Sequence, residues 1–208
     1  MDFLYLLLCA HVVIFSKAEC HMKHKLLKII SVIFGVVIVD QIIKGWLIHQ
    51  VMHTVPAFIS YSAVPVPPQG AILFQAFDFS WLSLYIHFLW NTGTAFSLFR
   101  ALGHALPIVL IILTGAIIGF LLYYLFKRAH KYECIPLALI VGGAIGNLID
   151  RVRFGAVVDY LHVSIFGWDK FPTFNFADMC VVIGCGLYLI SYVIYTKKQK
   201  RELTSKEK

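Results

Sequence analysis

Charge is scarce in this sequence. Only 14% of its 208 residues are Asp, Glu, Lys or Arg, while 60% are apolar, against about 25% charged and 45–50% apolar in a soluble domain. With a mean hydropathy of +0.80, a water-soluble domain of this size is excluded. Cysteine chemistry is lacking too. Cys9, Cys20, Cys134, Cys180 and Cys185 are odd in number and form no C-x-x-C pair, so neither a disulfide framework nor a structural zinc site is indicated. There is no G-x-S-x-G, and no Ser stands beside a Lys or His in a polar cluster, which removes the usual serine nucleophile. His49 and His53 have the spacing of a zinc-protease helix, but Gln50 occupies the place of the Glu that would act as base. No metal and no cofactor are therefore expected. The net charge of +7 is dispersed between apolar runs instead of forming one patch, so nucleic acid is not an expected partner.

What the chain has in abundance is apolar runs of membrane length, about 20 residues for a helix crossing about 30 Å. Four candidates cover residues 29–48, 106–126, 135–149 and 179–195. The third is short, about 22 Å at 1.5 Å per residue, which places its polar end at the membrane surface. Lys23, Lys25 and Lys28 precede the first span, Lys127, Arg128 and Lys131 separate the second from the third, and Lys197, Lys198, Lys200, Arg201, Lys206 and Lys208 follow the fourth. Cytoplasmic loops carry the excess of Lys and Arg, so both termini and the middle loop read as cytoplasmic and residues 49–105 and 151–177 as external. Trp46, Trp81, Trp90 and Trp168 lie in or beside the external segments, as expected at headgroup level. Residues 81–90 and 157–166 are aromatic and β-branched without clean alternation, and read as short surface strands. Residues 64–70 hold three prolines and read as a turn. The organisation is thus an extension over 1–21, a single membrane domain over 22–200 and a basic tail over 201–208. Met22, followed by Lys23, His24 and Lys25, looks like a more natural beginning than Met1.

Ionisable groups in spans are costly, roughly +2.5 to +3.5 kcal/mol each on insertion scales, and need partners or a function. Asp40 and Lys44, four apart on one helical face, can pair directly, and we assign them a site-supporting role. Asn147, Asp150 and Arg151 close the third span, a richer polar group than an interfacial anchor requires. Gly142/Gly146 and Gly115/Gly119 are G-x-x-x-G patterns that allow close helix approach. Asp159 is the only charge in an otherwise apolar run, 155–161. Asp178 opens the fourth span three residues after Asn175, a spacing that suits a reciprocal helix cap. Asp159 and Asp178 fall at one membrane edge, joined by a 19-residue excursion. Two carboxylates brought together in a low-dielectric site share a proton, so one can serve as base and the other as acid. That is the chemistry of an aspartic protease, with no covalent intermediate.

Four motifs carry a resemblance: Asn91-Thr92-Gly93-Thr94-Ala95-Phe96, Gly146-Asn147-Leu148-Ile149-Asp150-Arg151, Val157-Val158-Asp159-Tyr160 and Phe174-Asn175-Phe176-Ala177-Asp178. In this order, and with Asp40-Gln41 and Lys44 in the first span, the chain closely resembles the bacterial lipoprotein signal peptidase (signal peptidase II) family over about residues 23–200. The resemblance implies an α-helical multi-pass membrane protein of the bacterial inner membrane, with four transmembrane helices and a small extracytoplasmic β-sheet cradling the site. It implies Asp159 and Asp178 as the catalytic dyad, supported by Asp40, Lys44, Asn91, Gly93, Asn147, Asp150, Arg151 and Asn175. It further implies a diacylglyceryl prolipoprotein substrate, presented from the membrane lipid and cut N-terminal to its lipidated Cys. The interval from Asp40 to Asn91 is longer than the family pattern, with the extra residues around 55–79. The competing reading is a small transporter or assembly protein that uses Asp40, Lys44, Asp159 and Asp178 as a proton relay or polar glue. It predicts acids along a path across the membrane, whereas these groups cluster towards one face.

Overall fold

The computed structural model describes the backbone of residues 2–52, 71–79, 81–93, 105–169 and 171–206. The Pro-rich turn at 64–70, His53 and residues 94–96 of the first motif lie outside the described residues. Helix α1 runs Asp2–Met52, α2 Leu106–Lys127, α3 Cys134–Phe154 and α4 Phe176–Lys206, with strands β1 (Ala71–Phe79), β2 (Leu82–Asn91) and β3 (Val157–Ile165). Each helix has a segment long and apolar enough to span a bilayer: Lys25–Val51, Leu106–Lys127, Cys134–Phe154 and Phe176–Gln199. The backbone of 2–21 continues α1 without a break.

Large apolar side chains point outward, among them Phe34, Ile112 and Val182, each at least 64% exposed. An apolar exterior of this kind is what lipid replaces water around. Helix α3 is the central one. Half of its apolar window is buried, against 11–17% in the other three, and it packs against each of them. Glycine makes this possible. A Cβ on Gly142 would stand 2.9 Å from Val36 Cβ, one on Gly146 2.6 Å from Asp40 Oδ2, and one on Gly143 would collide with the Ala177 carbonyl. The expectation for the second glycine pair fails, because Gly115 and Gly119 have nothing within 4 Å; of the two pairs, the one on α3 is the one at a close helix contact.

The third span is also longer than its apolar run suggests. Asn147, Asp150 and Arg151 do not close α3, which continues to Phe154 and ends where Gly155 takes the left-handed conformation (φ 71°), a position suited to glycine. The polar residues can stay helical because α1 and α4 supply their partners.

The sheet is antiparallel in the order β1-β2-β3. β2 and β3 were legible as strands; β1 was not. Val157, Val158, Asp159 and Tyr160 are all buried, which explains why β3 lacks the alternation of a half-exposed strand. Its free edge is paired by Phe174, whose N–H donates to the Leu161 carbonyl at 3.0 Å. The β2–β3 register shifts between Ile86 and Leu89, where Ile86 faces Leu161 but Leu89 faces Asp159. β2 thus carries one extra residue beside Asp159, a bulge of the kind that re-aims a strand side chain. A core of Leu47, Ile48, Phe88, Trp90, Phe154 and Val158 locks the sheet to the ends of α1 and α3.

Candidate active site

The start of α4 explains most of the site. A helix begins with backbone N–H groups that have no helical acceptor, and here each finds a named partner. Asp178 N–H donates to Asn175 Oδ1 at 2.9 Å, while Asn175 N–H donates back to Asp178 Oδ2 at 3.1 Å. This is the reciprocal cap expected from the spacing. Phe176 N–H donates to the Tyr160 hydroxyl at 3.1 Å, and Ala177 N–H to Asp40 Oδ1 at 3.1 Å. The helix start is thereby attached to β3 and to α1.

Two asparagines join the pieces. Asn175 Nδ2 donates to Asp159 Oδ1 at 2.7 Å, so the residue that caps α4 on Asp178 also holds Asp159. Asn147 Nδ2 donates to Asp178 Oδ1 at 2.8 Å, and Asn147 Oδ1 accepts from Asn175 Nδ2 at 3.0 Å and from Lys44 Nζ at 3.0 Å. On the far side of Asp159, Asn91 Nδ2 donates to Oδ2 at 2.9 Å. Asn91 Oδ1 in turn accepts the Gly93 N–H at 2.9 Å, a tight turn that Gly93 makes at φ 81°.

Beneath these lies a buried ionic layer. Lys44 Nζ stands 2.8 Å from Asp40 Oδ2 and 2.8 Å from Asp150 Oδ2. The pairing of Asp40 with Lys44 is therefore one edge of a triad. Asp40 holds the amide of residue 177, next to Asp178; Asp150 Oδ2 accepts the Val158 N–H at 3.2 Å, next to Asp159. Lys44, at 2% exposure, is shared by the two supports. Isolated charges so deep would be costly, and it is the complete set of partners that makes their burial tolerable.

Asp159 is 1% exposed and its carboxyl is pushed up to about 7, first by burial and second by the charge of Asp178. Asp178 is half-buried. It lines a cavity of about 420 Å³ whose other walls, Phe171, Pro172, Phe174, Met179, Val182 and Ile183, are apolar. Arg151 is half-buried and lies within electrostatic reach of Asp178, Asp159 and Asp150, and its guanidinium makes no direct hydrogen bond among the described residues. No group of three or more His, Cys, Asp or Glu among the described residues is arranged to hold a metal ion.

All ten residues singled out in the sequence thus gather around one point. Two further contributors stand in the quoted motifs without a role assigned to them there. Gln41 Nε2 donates to Asp150 Oδ1 at 2.9 Å and to the Gly146 carbonyl at 3.2 Å, and its oxygen accepts from Arg153 at 3.2 Å. Tyr160, next to Asp159, orients the α4 terminus through its hydroxyl. Gln41 beside two intramembrane charges was the available signal for a role of the first; motif membership alone pointed to the second.

Comparison with known proteins places the chain in a family. The family described as signal peptidase (SPase) II matches residues 32–194. The chain belongs to the signal peptidase II family. The lipoprotein signal peptidase of Serratia marcescens is 37% identical over 158 residues, covering 76% of this chain and 80% of that protein. The lipoprotein signal peptidase of Anaplasma marginale is 38% identical over 112 residues, 53% of this chain and 64% of that protein. A solved bacterial membrane enzyme is similar in fold, with a TM-score of 0.58 at 28% identity over 79% of this chain and 92% of that one. Every motif of the site lies within the matched residues of this peptidase family.

Proposed function

We propose that this membrane peptidase removes signal peptides from diacylglyceryl-modified prolipoproteins, cutting on the N-terminal side of the lipidated Cys, and that Asp159 and Asp178 activate the attacking water. The observation that carries the reading is Asn175, whose side-chain amide donates to the Asp159 carboxylate and whose backbone N–H donates to the Asp178 carboxylate, so that one residue holds both. Such a pair titrates as a unit. With Asp159 buried and its affinity for protons raised, the shared proton resides there, and the cavity-lining Asp178 takes a proton from water as the water oxygen attacks the scissile carbonyl. Asp159 gives its proton to the carbonyl oxygen. When the tetrahedral intermediate collapses, the proton held by Asp178 passes to the departing amine and Asp159 recovers its own from the gem-diol hydroxyl. The supporting residues Asp40, Lys44, Asn91, Gly93, Asn147, Asp150, Arg151 and Asn175 hold this geometry, and the apolar cavity beside Asp178 suits acyl chains arriving from the bilayer.

The orientation that fits this role puts both termini and the α2–α3 loop in the cytoplasm and the Asp pair at the outer face of the bacterial inner membrane. Its support is the clustering of Lys and Arg at the opposite end of the spans. The test is cleavage of a lipidated prolipoprotein by reconstituted wild type, Asp159→Asn and Asp178→Asn, with insertion checked by topology reporters after Tyr132 and Gly167. Each substitution is expected to lower the rate by about 10³-fold or more, within the range of general acid–base catalysis. Near-wild-type cleavage by either variant rejects the dyad. Reporters reading external after Tyr132 and cytoplasmic after Gly167 reject the orientation.

A further inference from the structure

At the end of the bundle opposite the Asp pair, the short α2–α3 loop and the last turns of α4 enclose a second cavity of about 340 Å³, lined by His130, Lys131, Tyr132, Tyr195, Lys198 and Gln199. We propose that this cavity binds the phosphate-bearing headgroup of an anionic membrane lipid.

Four observations carry it. First, depth: the spans Leu106–Lys127, Cys134–Phe154 and Phe176–Gln199 all have an end here, so the cavity opens at headgroup level. Second, charge: Lys131 and Lys198 line it, Lys127, Arg128 and Lys197 lie just outside it, and no described carboxylate is within 4 Å of Lys131. The acid of the α2–α3 loop, Glu133, is buried and occupied elsewhere, accepting the His130 N–H at 2.6 Å and the Tyr124 hydroxyl at 3.3 Å. Third, the walls are built. The His130 ring packs on Tyr195 with centroids 4.6 Å apart, Gln199 Nε2 donates to the Tyr195 hydroxyl at 2.6 Å, and Lys131 Nζ sits 4.9 Å over the Tyr132 ring. Fourth, the loop is attached to its neighbours, with Ser191 Oγ donating to the Tyr132 carbonyl at 3.2 Å and Lys25 Nζ to the Ala129 carbonyl at 2.9 Å. A phosphodiester fits a cationic rim of this kind while its acyl chains lie along the apolar sides of α2 and α4; basic pockets between spanning helices are a recurrent form of headgroup recognition.

The test places the full chain in nanodiscs of phosphatidylcholine with a minor fraction of phosphatidylglycerol and measures retained lipid by native mass spectrometry. Wild type is expected to retain phosphatidylglycerol over phosphatidylcholine. Lys131→Gln and Lys198→Gln should each weaken retention about fivefold, the equivalent of about 1 kcal/mol per cation near an anionic surface. The control pair Lys127→Gln and Lys197→Gln removes equal charge outside the cavity and should weaken it less than about twofold. Equal losses in cavity and control variants would mean diffuse attraction and overturn the proposal, as would a wild type without preference. Inorganic phosphate displacing the lipid at millimolar concentration would reassign the cavity to a free anion and overturn it as well. Prolipoprotein cleavage in phosphatidylcholine alone, unchanged in every variant, shows that a loss of retention is not a loss of fold.

Discussion

The two ends of the helix bundle use charge in opposite ways. At the Asp end, Asp40, Lys44, Asp150 and Asp159 are each no more than 2% exposed, and every one has at least two polar partners. At the other end, Lys127, Arg128 and Lys131 are exposed, and no ion pair holds any of them among the described residues. A buried charge must be held by fixed partners because the surroundings cannot reorganise around it, whereas an exposed one is solvated wherever it moves. One end is consequently rigid and costly to disturb, the other adaptable and tolerant.

Breaking the Asp end should show this contrast at its largest. The Asp159→Asn and Asp178→Asn losses come first. Next, Lys44→Met should destabilise the protein by about 3–5 kcal/mol, because Asp40 and Asp150 lose their shared cation and remain buried. Lys25→Met at the other end, which removes one hydrogen bond to the Ala129 carbonyl, should cost under about 1.5 kcal/mol. Chemical denaturation of both variants in the same detergent is the measurement, and similar losses would mean that the two ends do not differ as described.

Acidity sharpens the comparison. Asp159 has a folded-state value of about 7, raised from 3.8, so it keeps its proton over a range in which the unfolded chain has lost it. The sign follows from linkage. The associated stability is fully present below about pH 4 and is lost as pH rises through about 7. Asp159→Asn should therefore melt higher than wild type at about pH 8, with the difference vanishing near pH 4; a pH-independent difference would contradict the raised value. Cleavage should fall along an alkaline limb near pH 7 as the pair loses its proton. Asn91→Ala removes a hydrogen bond that favours the ionised form of Asp159, and should move that limb to higher pH by up to about one unit. A shift to lower pH, or none, would remove Asn91 from the control of this carboxyl.

Much of this was legible in the sequence, and the reasons differ by residue. The spans follow from apolar length, and Asp159 stood out because a lone acid among Val and Tyr has no bland explanation. The cap formed by Asn175 and Asp178 was legible because it is local, three residues apart. The end of α3 was misjudged, since the apolar count stops at Ile149 while the helix continues to Phe154 on partners supplied by α1 and α4. β1 escaped although it pairs locally, Phe79 facing Leu82 across a hairpin, because its run, Ala71–Phe79, sits beside a proline-rich stretch. The link from Asp40 to the Ala177 amide joins positions 137 apart in sequence, and only the fold could reveal it.

The reciprocal cap has a consequence for the order of events in synthesis. Asn175 and Asp178 stand at the start of the last span to emerge, and the Asn175 side chain is spent on starting α4 and on holding Asp159 at the same time. A growing chain with only α1, α2 and α3 inserted has the supporting ions but neither Asp178 nor Asn175. With the proposed pair as the catalyst, it would have no means of hydrolysis until the fourth helix docks, and the geometry that begins the final helix would also keep a half-made protease silent.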